Sequence, residues 1–199
     1  MEGIKQVITV PMDDNFRMDS PLTFAAFGLD RPTPKWTTID WSKPVLHLGP
    51  GEKHIPNTIE LEWPEWDFDQ LDAQAEFWVD YNTRKGSGAR LPFEDNEAGG
   101  VIATHVLEHL KDPIPLLREV SRILAPGCPF NILVPHGESL MFKQDLDHQK
   151  PFVIETWKTL LSNPYYAKGK DGFSFDIGAN FLYGVKEANL ALVTQLIKR

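Results

Sequence analysis

The chain is 199 residues long and 42% hydrophobic, which is enough for one domain with a substantial core and marginal for two. Its formal net charge of −8 disfavours general attraction to nucleic acid or anionic lipid, because both are negatively charged. No apolar run approaches the roughly 20 residues that span a bilayer. No secretory signal is visible at residues 1–10, and the single Cys128 permits no internal disulfide. We therefore expect a soluble protein of the reducing cytoplasm, with no membrane partner and no nucleic-acid partner.

Residues 1–40 are predicted to form a separate lead-in or lid. Residues 7–10 alternate in the manner of a strand, and Ser20 followed by Pro21 is a typical helix start. Pro32 and Pro34 then interrupt the chain, since each disfavours helix in the residue before it. Residues 41–199 are predicted to be one domain.

From residue 45 onward, short apolar strands alternate with a helical pattern. Strands are predicted at residues 45–48, 58–61, 101–103 and 130–134, and residues 180–185 and 190–197 are expected to form an antiparallel hairpin. A helix is predicted where apolar residues recur at helical spacing from Leu116 to Leu124, and Gly127 is expected to stop it. This order predicts an α/β fold, a Rossmann-like open sheet that is mostly parallel with an antiparallel C-terminal hairpin strand and helices on both faces.

The turn formed by Gly49, Pro50 and Gly51 follows the first core strand, where an open α/β sheet binds its ligands. A dinucleotide fingerprint would place a third glycine at position 54, where the chain has His54. The next strand also begins too soon for a full crossover helix, whose N-terminus would neutralise a pyrophosphate. A ligand without phosphates is therefore favoured, and a tight turn without any ligand is the alternative.

Glu62 lies at the end of the second predicted strand, where a carboxylate can accept two hydrogen bonds from a ribose diol. Glu60 has the same side-chain direction and is the competing choice. Both belong to an acidic run over residues 60–80 that has eight acids and no Lys or Arg, so a solvated surface is the alternative for each.

Four further segments stand in a characteristic order: residues 46–53 (LHLGPGEK), 91–96 (LPFEDN), 104–110 (THVLEHL) and 117–127 (LREVSRILAPG). Together they resemble the motifs of class I S-adenosylmethionine-dependent methyltransferases. The chain is most similar to a small, methyltransferase type 11-like branch with a shortened first crossover. The resemblance covers about residues 45–134, and the terminal hairpin is in keeping with it.

The resemblance implies that S-adenosylmethionine is the cofactor. It also implies which residues bind it: Gly49, Pro50 and Gly51 under the methionine portion, Glu62 on the ribose, Arg90 and Leu91 around the adenine, and His105 beside the methionine end. Two acids that are usual in the family are replaced, one by Ser87 and Gly88 and the other by Gly99 at the start of the fourth strand.

Methyl transfer to a hydroxyl needs an aligned acceptor and a base. His109, His136 and His148 are the candidate bases, because neutral imidazole accepts a proton near pH 7. A helix end, a loop turn and a surface position are their respective alternatives. Asp145 and Asp147 with His148 resemble an acidic-histidine segment that faces the acceptor in relatives, and their oxygens would suit Mg²⁺. The set is too small for a cage, and no metal site is predicted.

The sequence thus predicts an S-adenosylmethionine-dependent methyltransferase that acts on a hydroxyl of a small molecule or glycan. The alternative is a module that kept the fold for cofactor binding or protein interaction and lost turnover, as the replaced acids at residues 87–88 and 99 would suggest. The acceptor and the oligomeric state stay open.

Overall fold

The computed structural model describes residues 37–52, 54–62, 66–71, 79–80, 85–86, 90–167, 172–184 and 189–199. The strand predicted at residues 7–10 and the helix predicted after Ser20 lie outside these residues, as does most of the predicted lead-in segment. Its last residues do pack against the domain, because the backbone of Thr37 and the side-chain amide of Gln195 exchange two hydrogen bonds of 3.0 Å.

The described strands form one large sheet and one small ribbon. In chain order they are β1 (Val45–Leu48), β2 (Ile59–Leu61), β3 (Val79–Asp80), β4 (Lys85–Gly86), β5 (Gly100–Thr104), β6 (Pro129–Pro135), β7 (Phe175–Tyr183) and β8 (Ala191–Lys198). The six-stranded sheet has the order β2-β1-β5-β6-β8-β7, and β3 pairs with β4 alone. Strands β2, β1, β5 and β6 are parallel, whereas β8 is antiparallel to both of its neighbours. The predicted fold class is confirmed.

The central strands are almost continuously apolar in sequence because both of their faces are buried. Every residue of β1 and of β6 is buried, as expected for parallel strands covered on both faces. Strand β2 lies at the sheet edge, where only Leu61 of its residues is fully buried. The core therefore lies along β1, β5 and β6.

The connection between β1 and β2 is short, as the sequence predicts. Residues 49–58 join the two strands, and those that the structure describes contain no helix. The backbone amide of Gly49 donates to the carbonyl of Leu61 at 2.9 Å, which ties the turn to the end of β2. The turn after β1 is thus fixed by backbone contacts in place of a crossover helix.

The α-helices of the described residues are α1 (Ile114–Ile123), α2 (Leu140–Lys143), α3 (Ile154–Ser162) and α4 (Pro164–Ala167). In the same part of the chain, 3-10 turns cover Phe68–Gln70 and Leu107–His109. Helix α1 buries Leu116, Leu117, Val120 and Ile123 on its apolar face. The expectation that Gly127 stops this helix is wrong. The helix ends at Ile123, because Leu124 turns to extended backbone with ψ 132° and forms a bridge with Ala98. Gly127 instead supplies a turn with φ +82° before β6.

The C-terminal hairpin has the predicted pairing and a longer first strand. Strand β7 begins at Phe175, which pairs with Lys198, and its register shifts between Ile177 and Ala179. Gly178 lies at that shift, where an added Cβ would approach Ile197 Cδ1 to 2.7 Å. The sequence pattern misses this part of the strand, because it contains Asp176 and Gly178 and both residue types are depleted in strands.

None of the helices formed by the described residues has the length and apolar character that crossing a membrane requires.

Candidate active site

Four of the predicted site residues lie at one edge of the sheet, where the parallel strands end. Strands β1, β2, β5 and β6 run in the same direction, so their carboxyl ends lie together. Gly49, Glu62, His105 and His136 are the residues that directly follow these strands. Ligands of open α/β sheets bind at this edge, and the fold therefore places the predicted residues where such a site belongs.

The glycine turn has the backbone that its composition predicts. Gly49 has φ +56° and Gly51 has φ +54°, a region that residues with a side chain rarely adopt. A Cβ at Gly49 would lie 2.6 Å from Cγ2 of Val106, whereas a Cβ at Gly51 would meet no atom within 4 Å. The turn thus packs against the loop after β5 at Gly49 and is open at Gly51.

Glu62 and Glu60 have different partners. The backbone amide of Gly51 donates to Oε2 of Glu62 at 2.6 Å. The carboxylate of Glu60 lies 2.9 Å from Nδ1 of His54. Glu62 therefore belongs to the glycine turn, and Glu60 belongs to a surface pair beside it.

These residues fit a nucleoside that lacks phosphates. The space above Gly51 is open, and the carboxylate of Glu62 is held next to it by the turn. A carboxylate accepts hydrogen bonds from hydroxyl groups and repels phosphate, so this donor set suits a ribose diol.

Arg90 and Leu91 take part in a buried ionic network. Leu91 is fully buried, its amide donates to Glu119 Oε2 at 2.8 Å, and its carbonyl accepts from Arg122 at 3.2 Å. The guanidinium of Arg122 also donates from Nε to Glu119 Oε1 at 2.7 Å. Arg90 Nε lies 3.8 Å from the same carboxylate oxygen. Contact of Arg90 and Leu91 with an adenine stays a prediction.

His105 adopts an unusual backbone conformation directly after β5. Its φ is +56°, and its amide donates to the carbonyl of Leu133 in β6 at 2.9 Å. Its ring atom Nδ1 lies 3.1 Å from Oε1 of Glu108. Strained non-glycine backbone is enriched at functional sites, which agrees with the predicted place of His105 beside the cofactor.

The structure brings together two of the three candidate bases. The rings of His109 and His148 are 4.8 Å apart between centroids and meet edge to face. His109 Nδ1 lies 3.0 Å from Asp147 Oδ2, and His148 Nδ1 lies 2.9 Å from the carbonyl oxygen of Phe142. Both imidazoles are therefore oriented by a partner at Nδ1.

His136 is held by other contacts. It is buried at the end of β6, its amide donates to the carbonyl of Leu190, and its Nδ1 accepts from the amide of Glu138 at 3.4 Å. Burial lowers the pKa of its imidazole, partly offset by the charges of Glu138 and Glu155. A neutral imidazole can act as a base, and the role of His136 stays a prediction.

Glu108 is a residue of this edge to which the sequence assigned no role. Its side chain is completely buried, and its Oε2 atom has no hydrogen-bond partner. Its backbone carbonyl accepts from the amides of Gln149 and Lys150, which joins the loop after β5 to the segment that carries His148. An acid between two apolar residues of the segment after β5, directly after Leu107 and next to His109, is the signal that could have found it.

The replaced acid at the start of β5 has a structural reason. A Cβ at Gly99 would collide with the backbone carbonyl of Asp40, whose amide donates to the carbonyl of Gly99 at 2.9 Å. Gly99 precedes the amino end of β5, whereas the glycine turn lies at the carboxyl edge. The substitution therefore leaves the candidate site intact. Ser87 and Gly88 lie outside the described residues.

Known proteins share the fold of this chain. A family profile described as "Methyltransferase domain" matches residues 63–131. One solved structure with the same fold is a chain of the "Complex between the Haloferax volcanii Trm112 methyltransferase activator and the putative methyltransferase". It is 14% identical to this chain, 87% of each chain is covered, and the TM-score is 0.50. The profile thus covers about a third of the chain, and over those residues the chain resembles a methyltransferase domain.

Two further solved structures are similar to this chain. The SAM-dependent methyltransferase from Aquifex aeolicus is 12% identical, with 81% of this chain and 90% of that chain covered and a TM-score of 0.44. The YcgJ protein from Bacillus subtilis is 12% identical, with 79% and 92% covered and a TM-score of 0.49. No curated protein sequence matches the chain.

The resemblance to class I S-adenosylmethionine-dependent methyltransferases is thus confirmed, and S-adenosylmethionine is the cofactor that the match supports. The matched residues end within β6 and begin after Glu62. The glycine turn and His148 lie outside them, so their roles depend on geometry.

Proposed function

We propose that this methyltransferase domain transfers a methyl group from S-adenosylmethionine to a hydroxyl of a small molecule or glycan. The observation that carries the proposal is that two pairs of features lie at the same end of the sheet. One is the glycine turn with Glu62, and the other is the two oriented imidazoles of His109 and His148. The first pair suits a cofactor with a ribose, and the second suits proton removal from an acceptor.

The cofactor would be held by the residues at the carboxyl ends of β1, β2 and β5. Gly51 leaves open space beside the carboxylate of Glu62, and Gly49 allows the turn to reach the loop after β5. Pro50 is buried and restricts the turn, and His105 directly follows β5. Arg90 and Leu91 are proposed to border the adenine.

When bound, the cofactor supplies a methyl group on a positively charged sulfur. The protein must align a hydroxyl and accept its proton. Because Asp147 faces Nδ1 of His109, the lone pair of that ring is expected at Nε2, and the carboxylate would stabilise the imidazolium that forms. The carbonyl of Phe142 fixes the same tautomer in His148. His109 is therefore the first choice of base, with His148 and His136 after it.

The acceptor class follows from charge. The net charge of −8 argues against a nucleic-acid acceptor, and a neutral hydroxyl on a small molecule or glycan meets no such repulsion. We further propose that residues 1–40 are a lead-in or lid and that residues 41–199 form the catalytic domain.

Cofactor binding is tested by thermal unfolding with S-adenosylmethionine and with S-adenosylhomocysteine. A ligand that binds only the folded chain must raise the midpoint, so both are expected to raise it. Glu62→Gln should weaken binding by about 5- to 150-fold, which corresponds to about 1–3 kcal/mol for a charged hydrogen bond. Glu60→Gln is the matched control and should bind as the wild type does. No shift at millimolar ligand, or equal affinity in Glu62→Gln and the wild type, would contradict the assignment.

Transfer is tested by the release of S-adenosylhomocysteine over a panel of hydroxyl acceptors. Single replacements of His109, His136 and His148 by Ala should leave cofactor affinity unchanged, and replacement of the base should abolish transfer. Three fully active variants would refute a histidine base. Cofactor binding without transfer to any acceptor would favour the module that has lost turnover.

A further inference from the structure

Three side chains near the carboxyl ends of β5 and β6 could together hold a metal ion. Glu108, His109 and His148 each present one ligand atom, and the three atoms lie within 4.8 Å of one another. Glu108 and His109 belong to the 3-10 turn after β5, whereas His148 lies in the segment beyond α2. The backbone carbonyl of Glu108 accepts from the amides of Gln149 and Lys150, which fixes the two segments against each other.

Both histidines have the hydrogen bonding that a metal ligand needs. The carbonyl oxygen of Phe142 can only accept, so Nδ1 of His148 must carry the proton and Nε2 the lone pair. The carboxylate of Asp147 imposes the same tautomer on His109. Carboxylates and carbonyls that bind the far nitrogen are the usual orienting partners of metal-bound histidine.

Glu108 supplies the independent observation that points to a cation. Its side chain is completely buried, Oε1 faces Nδ1 of His105 at 3.1 Å, and Oε2 has no partner. A buried carboxylate oxygen without a partner is strongly unfavourable, and a cation held with the two imidazoles would satisfy it. Asp145 lies close by, with Oδ2 3.6 Å from Nε2 of His148.

We propose that Glu108, His109 and His148 bind a divalent transition-metal cation of the zinc, cobalt or manganese type. Two imidazole nitrogens and one carboxylate oxygen suit these ions, whereas Mg²⁺ prefers oxygen ligands. Three protein ligands leave a coordination position open, which is typical of catalytic metal sites. The proposal goes beyond the sequence, which predicted no metal site.

The position of the site deepens the proposed function, on which this step rests. Val106, two residues before Glu108, packs against Gly49 of the cofactor turn. A cation there would lie at the same sheet edge as the cofactor and could hold the acceptor oxygen, lowering the pKa of its hydroxyl. With the cation bound, His109 and His148 would act on the acceptor through the metal, and the hydroxyl would release its proton to solvent in place of a direct transfer to an imidazole.

Metal binding is measured on the tag-free chain after treatment with a chelator. Titration with Co²⁺, followed by visible absorption, and with Zn²⁺, followed by calorimetry, should each show one ion per chain. Mg²⁺ should bind at least tenfold more weakly. No saturable Co²⁺ or Zn²⁺ binding below millimolar concentration would overturn the site, and tighter binding of Mg²⁺ would overturn the assigned metal class.

The ligands are tested with folded variants, checked by circular dichroism. Glu108→Gln, His109→Ala and His148→Ala should each weaken Co²⁺ binding by at least tenfold. His54→Ala is the matched control, because His54 is an exposed histidine beside an acid, and it should bind as the wild type does. His148→Gln replaces His148→Ala if the latter fails to fold. Unchanged affinity in the His148 variant, or equal loss in His54→Ala, would overturn the assignment.

The orienting role of Asp147 adds a further test. Asp147→Asn removes the negative charge beside His109 and should weaken metal binding by about 10- to 100-fold, as loss of such partners does. Cofactor binding is measured separately by thermal unfolding in the presence of chelator. Metal binding without any response to S-adenosylmethionine would contradict the proposed function and leave the metal site standing. The reverse result would contradict only the metal site.

Discussion

Gly49 and Gly51 share one backbone conformation and differ in their surroundings, so alanine at each position separates two effects. Both have φ near +55°, with values of +56° and +54°. Alanine in this left-handed region costs about 1–2 kcal/mol at either position. At Gly49 the new Cβ would also lie 2.6 Å from Val106 Cγ2, and such overpacking costs about 1–3 kcal/mol more.

The free energy of unfolding should therefore fall by about 2–5 kcal/mol in Gly49→Ala and by about 1–2 kcal/mol in Gly51→Ala. Equilibrium unfolding in urea measures both values. In Gly49→Ala combined with Val106→Ala, removal of Cγ2 should recover the packing part, a coupling energy of about 1–3 kcal/mol. Equal losses in the two single variants, or no coupling with Val106, would refute the packing argument.

Gly51→Ala also probes the cofactor site. Its methyl group would enter the open space beside Glu62, where the cofactor is proposed to bind. We expect a near-native fold with a weakened response to S-adenosylmethionine in thermal unfolding. An unchanged response would mean that the cofactor does not approach this part of the turn.

Two further predictions concern buried charge. Glu119→Ala leaves the guanidinium of Arg122 without its buried partner and should lower the free energy of unfolding by about 3–5 kcal/mol. Asp176→Ala breaks an exposed ion pair and should lower it by at most about 1 kcal/mol. Unfolding in urea measures both values. Equal losses would contradict the buried network. Burial also lowers the pKa of His47, and this effect exceeds the opposite effect of the charges of Glu60 and Glu62. As the pH falls below about 6.5, His47 therefore binds a proton in the unfolded chain before it does so in the folded chain. Stability should therefore be complete above that pH and decline below it, and His47→Asn should flatten the decline; an unchanged slope would contradict this assignment.

The glycine turn and Glu62 could be predicted because each follows directly from a short apolar strand. In a parallel sheet, the residues after neighbouring strands meet at one edge whatever the loops do. The contact between the amide of Gly51 and the carboxylate of Glu62 is the consequence. Position relative to a strand end was enough to place Glu62 beside this turn, whereas Glu60 pairs with His54. The contact of Glu62 with a ribose stays a prediction.

The limits of the prediction lie where long-range pairing decides. Asp176 and Gly178 disfavour a strand locally, yet Phe175 pairs with Lys198 because β8 is already fixed by β6. Gly127 has the composition of a helix stop, yet the bridge between Leu124 and Ala98 ends the helix earlier. In both places tertiary contacts override local preference.

By itself the sequence determined the six strands of the large sheet along the chain, the helix before β6, the short first connection, and the residues that stand at the strand ends. These features depend on residue type and spacing along the chain. Only the tertiary structure decided that His109 and His148 lie side by side over a buried Glu108, because the loops that carry them follow different strands and are joined by backbone hydrogen bonds to Glu108. Burial of a carboxylate and the tautomer of a histidine depend on neighbours that are distant in the sequence, and a pattern of residue types does not contain them.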